Sequence, residues 1–304
     1  MLLRTRRSLA LVLLVVPALG GSSPLQAGKL DTAKIEEITK LKGAFNEQEG
    51  VFKVTAPRTD VKVAVDGWQM PPFMGLTSWA AFQAGKTAPA MVMGDLVLFQ
   101  DEVNPVMSAL LDAGLSVTAL HNHFFFDEPK VYFMHLGGEG KAEELAAGVR
   151  KALDKVAEIR AAAPEPKKSA RAAALPPANT IDGKTIESVL GVKGQAKDGM
   201  YKVVLGRPAQ SACGCAVGKE MGVNTWAAFA GSAELAVVDG DFVTFDGELQ
   251  PVLKALRRAN VEIVAIHSHM EGEIPKAIFL HYWGVGPVEE LARAVKAALD
   301  TQKK

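Results

Sequence analysis

The chain has 304 residues, balances 34 basic against 34 acidic side chains, and is 48% hydrophobic with 22% charged residues. Charge neutrality without a basic face interleaved with aromatics argues against nucleic-acid binding. Beyond the first 27 residues no apolar run reaches the length of a bilayer, so no membrane span is expected once that segment is removed.

Met1 to Ala27 has the order of an export signal. Arg4, Arg6 and Arg7 form a basic start, Leu9 to Leu19 an apolar stretch too short to span, and Leu25-Gln26-Ala27 a cleavage site. Thr5-Arg6-Arg7-Ser8-Leu9 weakly resembles a twin-arginine signal. A periplasmic or secreted protein is expected, and the lack of a cysteine near the cleavage site argues against a lipid anchor.

The mature chain is expected to be α+β: two similar domains from an internal duplication, 29–160 and 181–304, each an antiparallel sheet with helices packed on one face. In the first, a short helix over Asp31 to Lys42 precedes strands near Val51 to Val65, Ser78 to Phe82 and Met91 to Phe99. A helix from Glu102 to Ala113 follows, with Pro105 in its first turn and Gly114 suited to a left-handed cap. Two strands within Ser116 to His135 then form a hairpin around Pro129, and a final helix shows the stripe Leu145, Val149 and Leu153. Residues 161–180, rich in Ala, Pro and Lys, read as a linker. The second domain repeats the order: a helix over Ile181 to Val192, strands over Met200 to Leu205, Thr225 to Phe229 and Leu235 to Phe245, a helix from Glu248 to Ala259 with Pro251 and Asn260, a hairpin over Glu262 to His281, and the stripe Leu291, Val295 and Leu299. An offset of 146 superposes Gly94-Asp95 on Gly240-Asp241, Glu102 on Glu248, and Pro129-Lys130 on Pro275-Lys276. Trp79-Ala80-Ala81-Phe82 recurs as Trp226-Ala227-Ala228-Phe229.

That offset also superposes every histidine on a counterpart: His121, His123 and His135 on His267, His269 and His281. Side chains alternate faces along a strand, so His121 and His123 project together, as do His267 and His269. A turn centred on Glu128 places His135 directly opposite His121, and one centred on Ile274 places His281 opposite His267, with Cβ atoms about 5 Å apart. A slip of one residue would turn the third histidine away. Three imidazoles from two adjacent strands with an open position suit catalytic zinc, and copper, nickel or iron accept the same ligands. A hydrogen-bonding histidine cluster is the metal-free alternative. The spelling His121-Asn122-His123 does not make an HNH nuclease, because a second strand follows where that site needs a helix.

Catalytic carboxylates are sought among acids present in both copies: Asp127 and Glu273, in the hairpin turns, and Glu102 and Glu248, at helix starts where a negative charge complements the dipole. Asp95 and Asp241 follow glycine and read as turn-shaping residues at strand starts. Lys130 and Lys276, in the hairpins, either hold an anionic substrate or are solvated. Cys213 and Cys215 have no counterparts in the first copy; a disulfide needs a turn at Gly214, and two thiolates also suit Cu(I) or zinc. Trp79, Trp226, Phe82 and Phe229 read as core.

The run Val51 to Val63, the Ser78 to Gln83 and Asn224 to Phe229 segments, and the duplicated Gly-Asp, His-x-His, Pro-Lys and His blocks resemble the bacterial LppY/LpqO-type proteins across nearly the whole mature chain. That resemblance implies export and duplication and no particular activity. The functional expectation is an exported protein with a divalent metal, zinc or copper, in a three-histidine site of each repeat, acting on a small molecule as a metal-dependent hydrolase or storing the metal. The alternative is a non-catalytic envelope binding or interaction protein whose histidines are structural or respond to pH.

Overall fold

The computed structural model describes residues 30–167 and 178–303. The expected signal, Met1 to Ala27, and 168–177 of the expected linker lie outside the described residues. The first repeat runs α1 (Thr32–Thr39), β1 (Gly43–Asn46), β2 (Val51–Pro57), β3 (Val63–Val65), β4 (Trp68–Met70), β5 (Thr77–Ala84), β6 (Ala90–Phe99), α2 (Gln100–Asp112), β7 (Ser116–His121), β8 (Asp127–Glu128), β9 (Val131–Gly140) and α3 (Ala142–Ala162). The second runs α4 (Gly183–Leu190), β10 (Gln195–Lys197), β11 (Met200–Gly206), β12 (Ala209–Gln210), β13 (Ala216–Val217), β14 (Asn224–Gly231), β15 (Ala236–Thr244), α5 (Leu249–Arg258), β16 (Glu262–His267), β17 (Ile278–Gly286) and α6 (Val288–Leu299).

Local chemistry sets the helix ends. Asp31 and Asp182 cap α1 and α4 by accepting from the backbone N–H of Lys34 and Lys184. Gly114 and Asn260 take the left-handed conformation after α2 and α5, as their positions required. Helix α2 begins at Gln100, two residues before the expected Glu102, so Pro105 sits inside the helix instead of in its first turn. The reason is Glu102 itself, whose carboxylate turns back to accept from the N–H of Phe99 at 2.9 Å and so extends the helix start upstream.

Twelve strands form one antiparallel sheet in the order β1-β2-β5-β6-β9-β7-β16-β17-β15-β14-β11-β10, which reads the same from either edge once the repeats are matched. Rather than each closing its own core, the copies share one: Leu96, Met134 and Phe82 lie in the same cluster as Leu280, Phe242 and Phe229, covered by helical residues such as Leu110, Val149, Leu256 and Val295. The seam joins β7 to β16 antiparallel at Leu120 and Ile266. Both strands bulge there, between Val117 and Ala119 and between Ile263 and Ala265. A bulge leaves backbone groups unpaired, and the counterpart residues Asn104 and Gln250 satisfy them across the seam. The Asn104 amide accepts from Ile263 N–H at 2.8 Å and donates to its carbonyl at 3.2 Å; the Gln250 amide does the same to Val117 at 3.0 and 2.7 Å. Each side chain stands in for a strand's peptide group, which fixes the two repeats as one body.

The opposite face of the sheet is only partly covered. In the first repeat β4-β3-β8 packs over Val97, Phe99, Val131 and Phe133. In the second, Ala209, Val217 and Met270 pack over Val243, Ala277 and Phe279. All six histidines lie on this face, between the two covers.

Candidate metal centre

The register differs from the expected one by two residues. His135 pairs with Ala119 and His121 with Phe133; likewise His281 pairs with Ala265 and His267 with Phe279. The cause is the connection. Segment 122–130 is no tight turn, because Asp127 and Glu128 leave to pair with β3, which lengthens the link between β7 and β9. A shift of two preserves the face, so the histidines still converge. His123 and His269 lie beyond the strand ends and return over the sheet, stacking on Phe133 and Phe279 with ring centroids 3.4 and 3.5 Å apart.

In the first repeat His121 stands 5.2 Å from His123 and 5.1 Å from His135, centroid to centroid. In the second, His267 stands 5.1 Å from His269 and 4.7 Å from His281. Nε2 of His267 and Nε2 of His269 are 3.1 Å apart. Nδ1 of His281 donates to the Gly240 carbonyl at 3.3 Å when protonated, which leaves Nε2 of that ring as an acceptor.

The residues that sequence reasoning missed are Asp95 and Asp241. They lie within β6 and β15, directly opposite His135 and His281, and their carboxylates join the histidines instead of shaping a turn. Oδ2 of Asp241 is 3.3 Å from Nε2 of His269. Donor atoms of Asp241, His267 and His269 all fall within 4.8 Å of one another, so this group can hold a metal ion. The signal was present in the sequence as the duplicated Gly-Asp. A Cβ at Gly240 would stand 2.4 Å from the Trp226 carbonyl and 2.3 Å from the Tyr282 ring, so only glycine lets the strands close beside the carboxylate.

Burial pushes the carboxyls of Asp95 and Asp241 up from their ordinary range, against the pull of the facing histidines. It pushes His267 down, with the neighbouring rings adding to the effect and Asp241 opposing it; His123 is lowered by burial and by His121. Oδ1 of Asp241, Oδ1 of Asp95 and Nδ1 of His267 are buried without a protein partner. Neutral imidazoles beside a buried, under-satisfied carboxylate are the protonation states a cation needs, and a mixed N/O set fits zinc as well as copper or iron.

The four carboxylates expected to be catalytic are committed elsewhere. Glu102 is fully buried, paired bidentately with Arg58 at 2.7 and 2.9 Å and with Arg160 at 2.9 Å. Glu248 pairs with Arg207 and accepts from the N–H groups of Phe245 and Lys303. Asp127 accepts from Val131 N–H and from Lys130, and Glu273 from Ala277 N–H, so both brace the loops that carry His123 and His269. Phe82 and Phe229 are core, whereas Trp79 and Trp226 are not: each is the strand neighbour of Asp95 or Asp241 on the histidine face, under Lys53 at 4.3 Å or Lys202 at 4.0 Å. Cys213 and Cys215 are free and exposed, 2.7 Å apart at sulfur, on a turn at Gly214 with φ of 81°.

The family model Domain of Unknown Function (DUF1259) matches twice, over residues 33–155 and 184–301, one match per repeat. No curated protein matches the chain. A solved trimeric bacterial microcompartment shell protein, PduB, is similar at 13% identity over 85% of this chain and 89% of its own, with a TM-score of 0.22, a likeness that carries no argument. Among the described residues no helix is long and apolar enough to cross a membrane.

Proposed function

Since the chain belongs to the family described as Domain of Unknown Function (DUF1259), whose description names no chemistry, we propose a function from the site itself: an exported protein that binds a divalent metal, zinc or copper, at an aspartate and histidine centre in each repeat, and uses it hydrolytically. The observation that carries the reading is the convergence of Asp241, His267 and His269 on one point, with buried carboxylate and imidazole atoms left without protein partners. A bound divalent ion there supplies Lewis-acid polarisation and lowers the pKa of water towards 7. The chain's own part is to hold His267 neutral through burial, to orient His281 through the Gly240 carbonyl, and to keep Asp241 able to take up a proton. In the first repeat Asp95 faces the matching His135, His121 and His123, although among the described residues only the Asp241, His267 and His269 donor atoms fall within 4.8 Å of one another. Export rests on the Met1 to Ala27 segment.

Elemental analysis of protein purified without a polyhistidine tag tests this. Near-stoichiometric metal that is lost in a His121→Ala plus His267→Ala variant supports it. The second reading, a non-catalytic pH-responsive cluster, draws on the 3.1 Å contact between His267 and His269 and predicts metal-free protein whose stability is unchanged by chelators.

A further inference from the structure

A groove of about 550 Å³ runs along the histidine face beside the second centre. Its lining includes Lys193, Lys202 and Lys219 against one acid, Glu220, which Lys219 faces at 3.5 Å. Among the described residues Lys193 has no carboxylate partner, and Lys202 lies over the Trp226 ring instead of an acid. Gly222 also lines the groove. A Cβ there would stand 3.7 Å from Nδ1 of His269, whose other ring nitrogen, Nε2, faces Asp241.

One row of cross-strand neighbours links groove to centre: Val204, on the groove floor, pairs with Trp226, Trp226 with Asp241, and Asp241 with His281. Neighbouring strands are about 4.8 Å apart, so the groove floor lies about 10 Å from the carboxylate. The first repeat has the same scaffold with different chemistry. Lys53 matches Lys202, but Pro72 and Phe73 stand at the positions of Lys219 and Glu220. Lys42, the counterpart of Lys193, is tied to Glu36 at 2.8 Å.

We propose that the Lys193, Lys202 and Lys219 groove binds the anionic end of the substrate, a carboxylate or phosphate, and that the molecule extends about two strand spacings over Trp226 to the Asp241, His267 and His269 centre. The groove would be an anion site in its own right; only the position of the far end rests on the metal reading above.

The probes are inorganic phosphate and terephthalate, a planar dicarboxylate, titrated calorimetrically into the full chain before and after chelation and again after zinc loading. In metal-free protein both anions bind, binding weakens with salt, and a Lys193→Ala plus Lys202→Ala variant loses about tenfold in affinity, the scale of two weakened ion pairs. The control Lys53→Ala leaves both affinities unchanged, and circular dichroism confirms that the variants are folded. Equal affinity in wild type and the double lysine variant overturns the groove whatever the metal result. Zinc loading adds affinity for terephthalate over phosphate, and Asp241→Asn removes that increment. If no zinc binds yet the lysine dependence stands, the metal reading falls and the anion site remains.

Discussion

Substituting Asp241 by asparagine separates a ligand from a structural residue by the sign of its effect. Asp241 is 4% exposed, its Oδ1 has no partner, and burial raises its pKa. Leaving a buried acceptor unsatisfied costs about 1 to 3 kcal/mol, and asparagine keeps the shape while removing the charge. We expect metal-free Asp241→Asn to be more stable than wild type by about 1 kcal/mol, the lower end because an amide oxygen stays buried. A carboxyl whose pKa rises on folding destabilises the native state above that pKa and stops doing so as pH falls through it. The gain is therefore full at pH 7 and vanishes as the solution is acidified towards the carboxyl range. Zinc affinity should fall by at least about 100-fold, since even partners that only orient ligands are worth up to that much. Urea melts in chelator at pH 7 and at acid pH, with zinc titrations alongside, make the measurement. A variant destabilised by 1 kcal/mol or more in chelator would refute the reasoning, because Asp241 would then be holding the fold through His269.

Glu248 should behave oppositely. Burial alone would raise its pKa, but Arg207 and the backbone N–H groups of Phe245 and Lys303 together hold it below 4.5, so the stability it contributes is present above that value and lost as pH falls through the lowered pKa; acid unfolding of Glu248→Gln should be shallower in that window. Gly240→Ala should cost several kcal/mol, at least about 2, because backbone and a buried ring block the new methyl; a shift in urea midpoint below about 0.5 kcal/mol would show that the strands can part. Cys213, whose thiol is lowered to about 7 by hydrogen bonds from Cys215 and Ser211, should be alkylated by iodoacetamide at pH 7 well before Cys215, and Cys215→Ser should slow that reaction; peptide mass mapping reads both.

Duplication, the succession of strands and helices along the chain and the helix positions were legible because each rests on local pattern: the offset of 146, period-two alternation and the caps at Gly114 and Asn260. That the two copies join in one sheet over one core was not, because the β7 to β16 seam is a long-range pairing. The histidines were legible by parity, which survived a register error of two. What sequence could not supply was long-range. The link between β7 and β9 looked like a tight turn because nothing local says that Asp127 and Glu128 pair with β3. Asp95 and Asp241 looked like turn residues because Gly-Asp is common turn chemistry, and only the pairing of β6 with β9 sets the carboxylate opposite a histidine. Glu102 and Glu248 drew attention as recurring acids, yet their recurrence reflects buried pairing with Arg58 and Arg207, far along the chain. The seam amides Asn104 and Gln250 carried no local signal, since their partners belong to the other repeat.

X-ray absorption at the metal edge, on tag-free protein loaded with zinc at pH 7, asks most directly what binds the ion. The account predicts a nitrogen and oxygen shell at about 2.0 to 2.1 Å with imidazole scattering, unchanged in Cys213→Ser plus Cys215→Ser and lost in His267→Ala plus His269→Ala combined with His121→Ala plus His123→Ala. A sulfur shell at about 2.3 Å that vanishes with the cysteines, or no ordered shell at all, would contradict it.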